Sequence, residues 1–153
     1  MLCVVLDVAS FGADPRTRAA ELFEAGADWI QLRERTAEDL ALFEAACSLV
    51  QARDGMNAND SRNPRRVLIN KRTDIARAAR ADGVHLGFDA VNPQAAREAF
   101  GSGTQILAGR SLHDLDEVAH LAQSADAIPM VLGKPEYAPG EGGVDYVHLA
   151  PTW

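Results

Sequence analysis

Residues 67–87 read VLINKRTDIARAARADGVHLG. Val67-Leu68-Ile69 is a short apolar run that ends on a polar pair, Asn70-Lys71. Ile75, Ala78 and Ala79 follow at helical spacing, and Gly83-Val84-His85-Leu86 opens a second apolar run that ends on Gly87. Two nearly continuous apolar strands around one helix are the pattern of a βαβ unit, whose strands are parallel and covered on both faces. The same phrase recurs along the chain. Strands are expected at Leu2 to Leu6, Trp29 to Leu32, Val67 to Ile69, Gly83 to Leu86, Gln105 to Ala108 and Val144 to Leu149. Their ends are polar or glycine-bearing: Asp7, Gln31 to Arg35, Asn70-Lys71, His85 to Gly87, Gly109 to His113 and Ala150 to Trp153. Polar groups at the strand C-termini of a βα repeat are how a (β/α) barrel builds a site. The expectation is one α/β domain over residues 1–153, a TIM (β/α) barrel of about six βα units, truncated after the sixth strand.

The intervening segments fit helices. Ala19, Leu22 and Phe23 mark the first, which Gly26 ends. Thr36, with Asp39 three residues on, reads as the N-cap of the second. Leu40, Phe43, Cys47 and Val50 give its stripe, and Asn57 to Arg65 reads as a loop. Asn92-Pro93 opens another helix and Gly101 closes it. Residues 114–125, with Leu115 and Val118, fit a fifth. Ala127 to Gly143, with three prolines and four glycines, breaks the rhythm as an excursion.

Composition excludes several partners. A net charge of −7, with no basic stripe interleaved with aromatics, argues against nucleic acid and anionic membrane. The segment Met1 to Asp7 is too short, and lacks basic flanks, for a signal peptide. No apolar run approaches the roughly 20 residues that span a bilayer. Cys3 and Cys47 read as buried thiols of a reduced compartment. A cytoplasmic protein is expected.

Arg33 and Arg35 lie two residues apart just past a strand core, so both can point the same way. Arginine forks suit phosphates and carboxylates. The alternative is a rim ion pair with Glu34 or Asp39. Asn70 is either an anion contact or a turn former, and Lys71 either serves a phosphate or is solvated. His85, between Val84 and Leu86, reads as a core residue that ties a neighbouring loop. In Gly109-Arg110-Ser111-Leu112-His113, the glycine admits a ligand to the backbone, and Arg110 and Ser111 suit phosphate. His113 has a pKa near neutrality and can move protons. The alternative is a helix N-cap with His113 exposed. Asp89 is a lone carboxylate behind the fourth strand, where a hard cation takes several oxygen ligands. No metal spacing, dinucleotide fingerprint, P-loop or triad appears.

The runs Trp29 to Arg35, Leu68 to Ala76, Ala81 to Gly87, Ala108 to His113 and Val144 to Val147 resemble, in order and spacing, the thiamine phosphate synthase/TenI family. The resemblance implies a TIM barrel of thiamine biosynthesis. The synthase branch joins a hydroxymethylpyrimidine diphosphate to a thiazole phosphate with Mg²⁺ and releases pyrophosphate. The TenI branch tautomerises the thiazole phosphate with a histidine and no metal. By the same resemblance, Gln31, Arg33 and Arg35 face the pyrimidine diphosphate or the equivalent ligand. Asn70 contacts phosphate, and Ser111 sits beneath the reacting pair. Lys71, Phe88 and Ala90 depart from the synthase pattern, which has aspartate, glutamine and aspartate at those places. Gly109 to His113 looks more like the TenI version, with His113 as its proton carrier. The expectation is TenI-like tautomerase chemistry on a thiazole phosphate or pyrimidine diphosphate, with no cofactor. The alternative is the Mg²⁺-dependent synthase, or a non-catalytic or fragment relative. The family's phosphate site uses turns after strands seven and eight. Their absence leaves two open strand edges, through which a homo-oligomer is expected.

Overall fold

The computed structural model describes residues 1–60, 62–87, 91–101, 106–112 and 146–149. Backbone packing divides the chain into two compact units, Met1–Gly83 and Val84–Trp153.

In the first unit, β1 (Cys3–Leu6), β2 (Trp29–Leu32) and β3 (Arg66–Asn70) pair in parallel and in chain order. Helices α1 (Pro15–Glu24), α2 (Asp39–Asn59) and α3 (Thr73–Ala79) form the connections. Helix α2 packs on α1, α3 and β3. Phe23, Ile30, Leu32, Leu49, Val67, Leu68 and Ile69 are fully buried at the centre. The second unit takes up β4 (Gly83–Leu86) from its second residue, then α4 (Pro93–Phe100), β5 (Leu107–Leu112) and β6 (Tyr146–Leu149). Strands β5 and β6 are parallel. Its core includes Val84, Leu86, Ala96, Phe100, Ile106 and Ala108.

One device recurs before a strand. Helix α1 closes with Gly26 at φ 106°, its N–H on the Phe23 carbonyl and the Ala27 N–H on the Leu22 carbonyl. Helix α3 closes the same way. Arg80 at φ 61° donates its N–H to the Arg77 carbonyl, and Ala81 donates to Ala76. This pair of bonds is the Schellman stop. Each stop leads into a buried alanine and an aspartate, Ala27-Asp28 and Ala81-Asp82. Each aspartate accepts the N–H at the start of a neighbouring strand: Asp28 from Leu2 at 2.7 Å and Asp82 from Val67 at 2.8 Å.

Two cap readings differ in outcome. Asn92 caps α4 as expected, accepting the Ala95 N–H at 2.7 Å ahead of Pro93. Thr36 does not cap α2, which starts at Asp39 with no side-chain cap. Its hydroxyl goes to Glu34 instead. The buried face of α2 runs through Leu42, Ala45, Ala46, Leu49, Ala52 and the expected Val50, while Leu40 is exposed and Phe43 and Cys47 are half-buried. In α3 Ile75 and Ala79 are buried as expected, Ala76 is buried beside them, and Ala78 is exposed. Asn57 to Asn59 extend α2 rather than opening a loop. Asn57 ties its end to Arg65 through both amide atoms, at 2.7 and 3.1 Å. Cys3 and Cys47 are half-buried free thiols, and burial pushes the Cys3 thiol up to about 11. Among the described residues, no helix is long and apolar enough to cross a membrane. The expected helix at 114–125 and the excursion at 127–143 lie outside the described residues.

Asp14 caps α1, accepting the Thr17 N–H at 3.1 Å and the Thr17 hydroxyl at 2.7 Å. Replacing it with alanine leaves the first-turn donors unpaired. Asp14→Ala should lower the unfolding free energy by about 1 kcal/mol in a urea titration. A change near zero would show that water caps this helix equally well.

Candidate functional site

The C-terminal ends of β1, β2 and β3 are level, with Leu6 opposite Leu32 and Leu32 opposite Ile69. Asp7 and Arg33, which follow β1 and β2, and Asn70, which ends β3, therefore lie along one rim. The Arg33 N–H extends the ladder to the Leu6 carbonyl at 2.8 Å. A cavity of about 420 Å³ opens there, lined by Val5, Leu6, Asp7, Ser10, Arg33, Glu34, Arg35 and Thr36.

The two acids at this cavity are committed to the chain itself. Glu34 Oε1 accepts the N–H groups of Arg35, Thr36 and Ala37 at 2.6, 2.7 and 3.2 Å, and the Thr36 hydroxyl at 3.1 Å. Its Oε2 accepts the Val8 N–H at 3.0 Å. The amides of Thr36, Val8, Arg35 and Ala37 hold its carboxyl down to about 2. Asp7 accepts the hydroxyl and N–H of Ser10 at 2.6 and 2.8 Å, and these bonds lower its pKa, the hydroxyl first.

Arg33 and Arg35 are exposed on the cavity and, among the described residues, form no ion pair. The rim ion-pair alternative fails for a visible reason. Asp39 pairs with Arg72, whose guanidinium also grips Asp74 at 2.7 Å. The hydrogen bond and charge of Arg72 hold Asp39 below the usual carboxylate range.

Gln31 is 2% exposed and sits between Val5 and Leu68 in register. It donates from Nε2 to Asn70 Oδ1 at 3.3 Å, and its buried Oε1 has no partner among the described residues. Asn70 thus meets Gln31 across the sheet. Beyond it the chain turns sharply. Lys71, exposed at φ 62°, lies between the Asn70 carbonyl and the Arg72 N–H, which bond at 2.8 Å. A positive φ at a non-glycine residue costs about 1–2 kcal/mol.

In the second unit, β5 runs through Gly109, Arg110 and Ser111, which pair with Tyr146, Val147 and His148 of β6. Ser111 is therefore a strand residue, and the N-cap alternative does not hold for it. Ser111 Oγ lies 2.8 Å from His85 Nε2, and His85 is 2% exposed. His85 does tie a neighbour, but that neighbour is a strand hydroxyl expected to serve the ligand. Arg110 is half-exposed. His113, Asp89, Phe88 and Ala90 lie outside the described residues. Sequence reading missed Glu34 as the organiser of the rim. The signal was an acid followed by Thr36, whose small hydroxyl favours a turn.

Among the described residues, no group of three His, Cys, Asp or Glu side chains converges as a metal set. Glu34 and Asp7 already accept bonds from the β1 and β2 loops, and a cation, Lys71, follows Asn70. The described residues do not make up a Mg²⁺ centre, so no step is derived through one.

Residues 2–134 match the family model described as thiamine monophosphate synthase. The chain is 40% identical over 106 residues to a thiamine-phosphate synthase of Rhodopirellula baltica, covering 67% of this chain and 25% of that protein. It is 36% identical to one of Anaeromyxobacter dehalogenans, covering 76% and 49%. It is 33% identical to one of Saccharopolyspora erythraea, covering 92% and 56%. The chain thus spans a quarter to about half the length of these relatives. A thiamine phosphate pyrophosphorylase from Pyrococcus furiosus superposes with a TM-score of 0.67 at 21% identity, over 97% of this chain and 59% of that one. That likeness shows the TIM-barrel type of fold. Synthases head this set of relatives, which favours the synthase alternative over the tautomerase expectation. With the parallel βα repeat and the family match over residues 2–134, the chain belongs to the thiamine monophosphate synthase/TenI family.

Proposed function

We propose that this chain binds the pyrimidine diphosphate of thiamine-phosphate synthesis on the β1–β3 rim and serves the coupling reaction, a transferase step. One observation carries this reading. Arg33 and Arg35 border a cavity and, among the described residues, have no ion pair, while the acids beside them accept from backbone amides and from the Thr36 and Ser10 hydroxyls. Two exposed guanidinium forks beside carboxylates already engaged by the chain suit a ligand with several anionic oxygens. In the coupling, the bond between the pyrimidine methylene and the diphosphate oxygen breaks as the thiazole bond forms, and pyrophosphate leaves. Charge grows on the departing oxygen, so Arg33 and Arg35 stabilise the transition state more than the ground state. Gln31 offers a buried acceptor, its Oε1, to a hydrogen-bond donor substituent on the ring, and Asn70 fixes the orientation of its amide. In the second unit, Ser111, bonded to His85, and Arg110 beside it are further candidate ligand contacts by the family resemblance alone.

The second reading, thiazole tautomerisation by His113, rests on the Gly109 to His113 resemblance. Calorimetry separates the two. Pyrimidine diphosphate and inorganic pyrophosphate should bind at least about tenfold more tightly than thiazole phosphate, the difference of roughly one charge-assisted contact. The reverse order, with tautomerisation abolished in His113→Ala, would establish the second reading in place of the first.

A further inference from the structure

We infer that Glu34 is a positioning residue for the anion site. Its carboxylate latches the β1 loop to the β2 loop and so sets where Arg33 and Arg35 stand. The inference rests on the diphosphate reading of the same rim.

The geometry is specific. One carboxylate receives four backbone N–H groups from two segments: Val8 on Oε2, and Arg35, Thr36 and Ala37 on Oε1. Three successive N–H groups can converge on one oxygen only if residues 35–37 curl around it. That curl fixes the backbone of Arg35 itself. Arg33 is fixed from the other side, by its N–H on the Leu6 carbonyl. The Val8 bond then sets the separation of the two loops, which is the width of the cavity between Asp7-Ser10 and Arg33-Thr36. Side chains placed by such a scaffold lose less freedom on binding than free ones.

A positioning role and a simple charge role predict opposite signs. By Coulomb's law, removing an acid that neighbours two arginines strengthens their hold on an anion. If Glu34 positions the arginines, removing it weakens that hold.

The probe is inorganic pyrophosphate, titrated by calorimetry into the full chain and into Glu34→Gln and Glu34→Ala. Both variants should bind about tenfold more weakly or worse. Glu34→Gln, which keeps one oxygen for the curl, should lose less than Glu34→Ala. Unchanged or tighter binding in both variants overturns the inference. Amide spectra of the wild-type chain give a separate readout. The Val8, Arg35, Thr36 and Ala37 resonances should stay constant from pH 6 to 3.5, because an amide-held carboxylate keeps its charge there. A joint transition near the ordinary glutamate value, about 4.3, would show that the latch does not form and overturns the inference alone. An intact latch with no pyrophosphate binding by the wild-type chain overturns the diphosphate reading and the positioning role with it.

Discussion

Asp82→Ala should lower the unfolding free energy of the first unit by about 3 kcal/mol, the range for breaking a buried ion pair from one side. Asp82 sits just before β4, and its side chain is only 11% exposed. Its Oδ2 accepts Arg53 Nη1 at 2.6 Å and the Val67 N–H at 2.8 Å, and its Oδ1 accepts Arg66 Nη1 at 3.1 Å. Arg53 comes from α2, also with an 11% exposed side chain, and Arg66 and Val67 from the start of β3. One carboxylate thus joins a helix, a strand start and the α3 stop, where Arg53 also donates to the Arg80 carbonyl at 3.3 Å. Removing it leaves a buried guanidinium with, among the described residues, only the exposed Asp54 as counter-charge, at 2.8 Å, and a buried N–H without its acceptor. Both defects appear among the mechanisms that give large losses. Urea melts of Asp82→Ala, Asp82→Asn and Arg53→Met would measure it, with the double variant closing the cycle. A loss below about 1 kcal/mol would mean that water or Asp54 rescues Arg53, as happens for surface pairs. The site is at the start of β3, whereas Asn70 ends it. Pyrophosphate affinity should therefore stay within about twofold, as expected for independent sites.

The strands were legible because a parallel strand buried on both faces leaves an unbroken apolar run, as in Val67-Leu68-Ile69. The face of α2 was not. Leu40, Leu42, Phe43, Ala45, Ala46, Cys47, Leu49 and Val50 are apolar almost all round, so two stripes compete. Packing on α1, α3 and β3 chose the one through Leu42, Ala46 and Leu49. The end of β5 misled in the other direction. Gly109-Arg110-Ser111 has loop composition, yet its ladder to β6 makes it strand, an override of local propensity by pairing. The repeated stop was on the page as Ala27-Asp28 and Ala81-Asp82. It stayed hidden because one copy uses glycine and the other Arg80 at the left-handed position.

The site shows the same division. Arg33 and Arg35 stood out in the sequence by their spacing past a strand core, but that spacing left a ligand contact and a rim ion pair equally open. Their freedom from ion pairs depended on where Glu34 and Asp39 went, and that is decided by backbone amides and by Arg72, 33 residues beyond Asp39. The bond between Gln31 and Asn70 spans 39 residues, and no local pattern encodes it.

Arg33→Ala combined with Arg35→Ala should weaken pyrophosphate and pyrimidine diphosphate binding by about 100-fold or more. Each charge-assisted hydrogen bond is worth roughly 1.5–3 kcal/mol, and tenfold in affinity is about 1.4 kcal/mol. The single variants should each lose about tenfold by the same arithmetic. Stability should hardly move, because both side chains are exposed and neither has an ion-pair partner among the described residues. Substitutions of that kind stay within about 0.5 kcal/mol. Arg33→Lys and Arg35→Lys sharpen the test. Lysine keeps the charge and loses the planar fork, so an intermediate loss marks bidentate recognition, and full retention marks simple charge attraction. Salt separates the same cases. Attraction to an exposed cationic rim falls as ionic strength rises, because screening sets in over about 10 Å at 0.1 M. If the double variant binds both ligands like the wild type, the diphosphate does not sit on this rim. The arginines are then solvated, and the anion site has to be sought at Arg110 and Ser111.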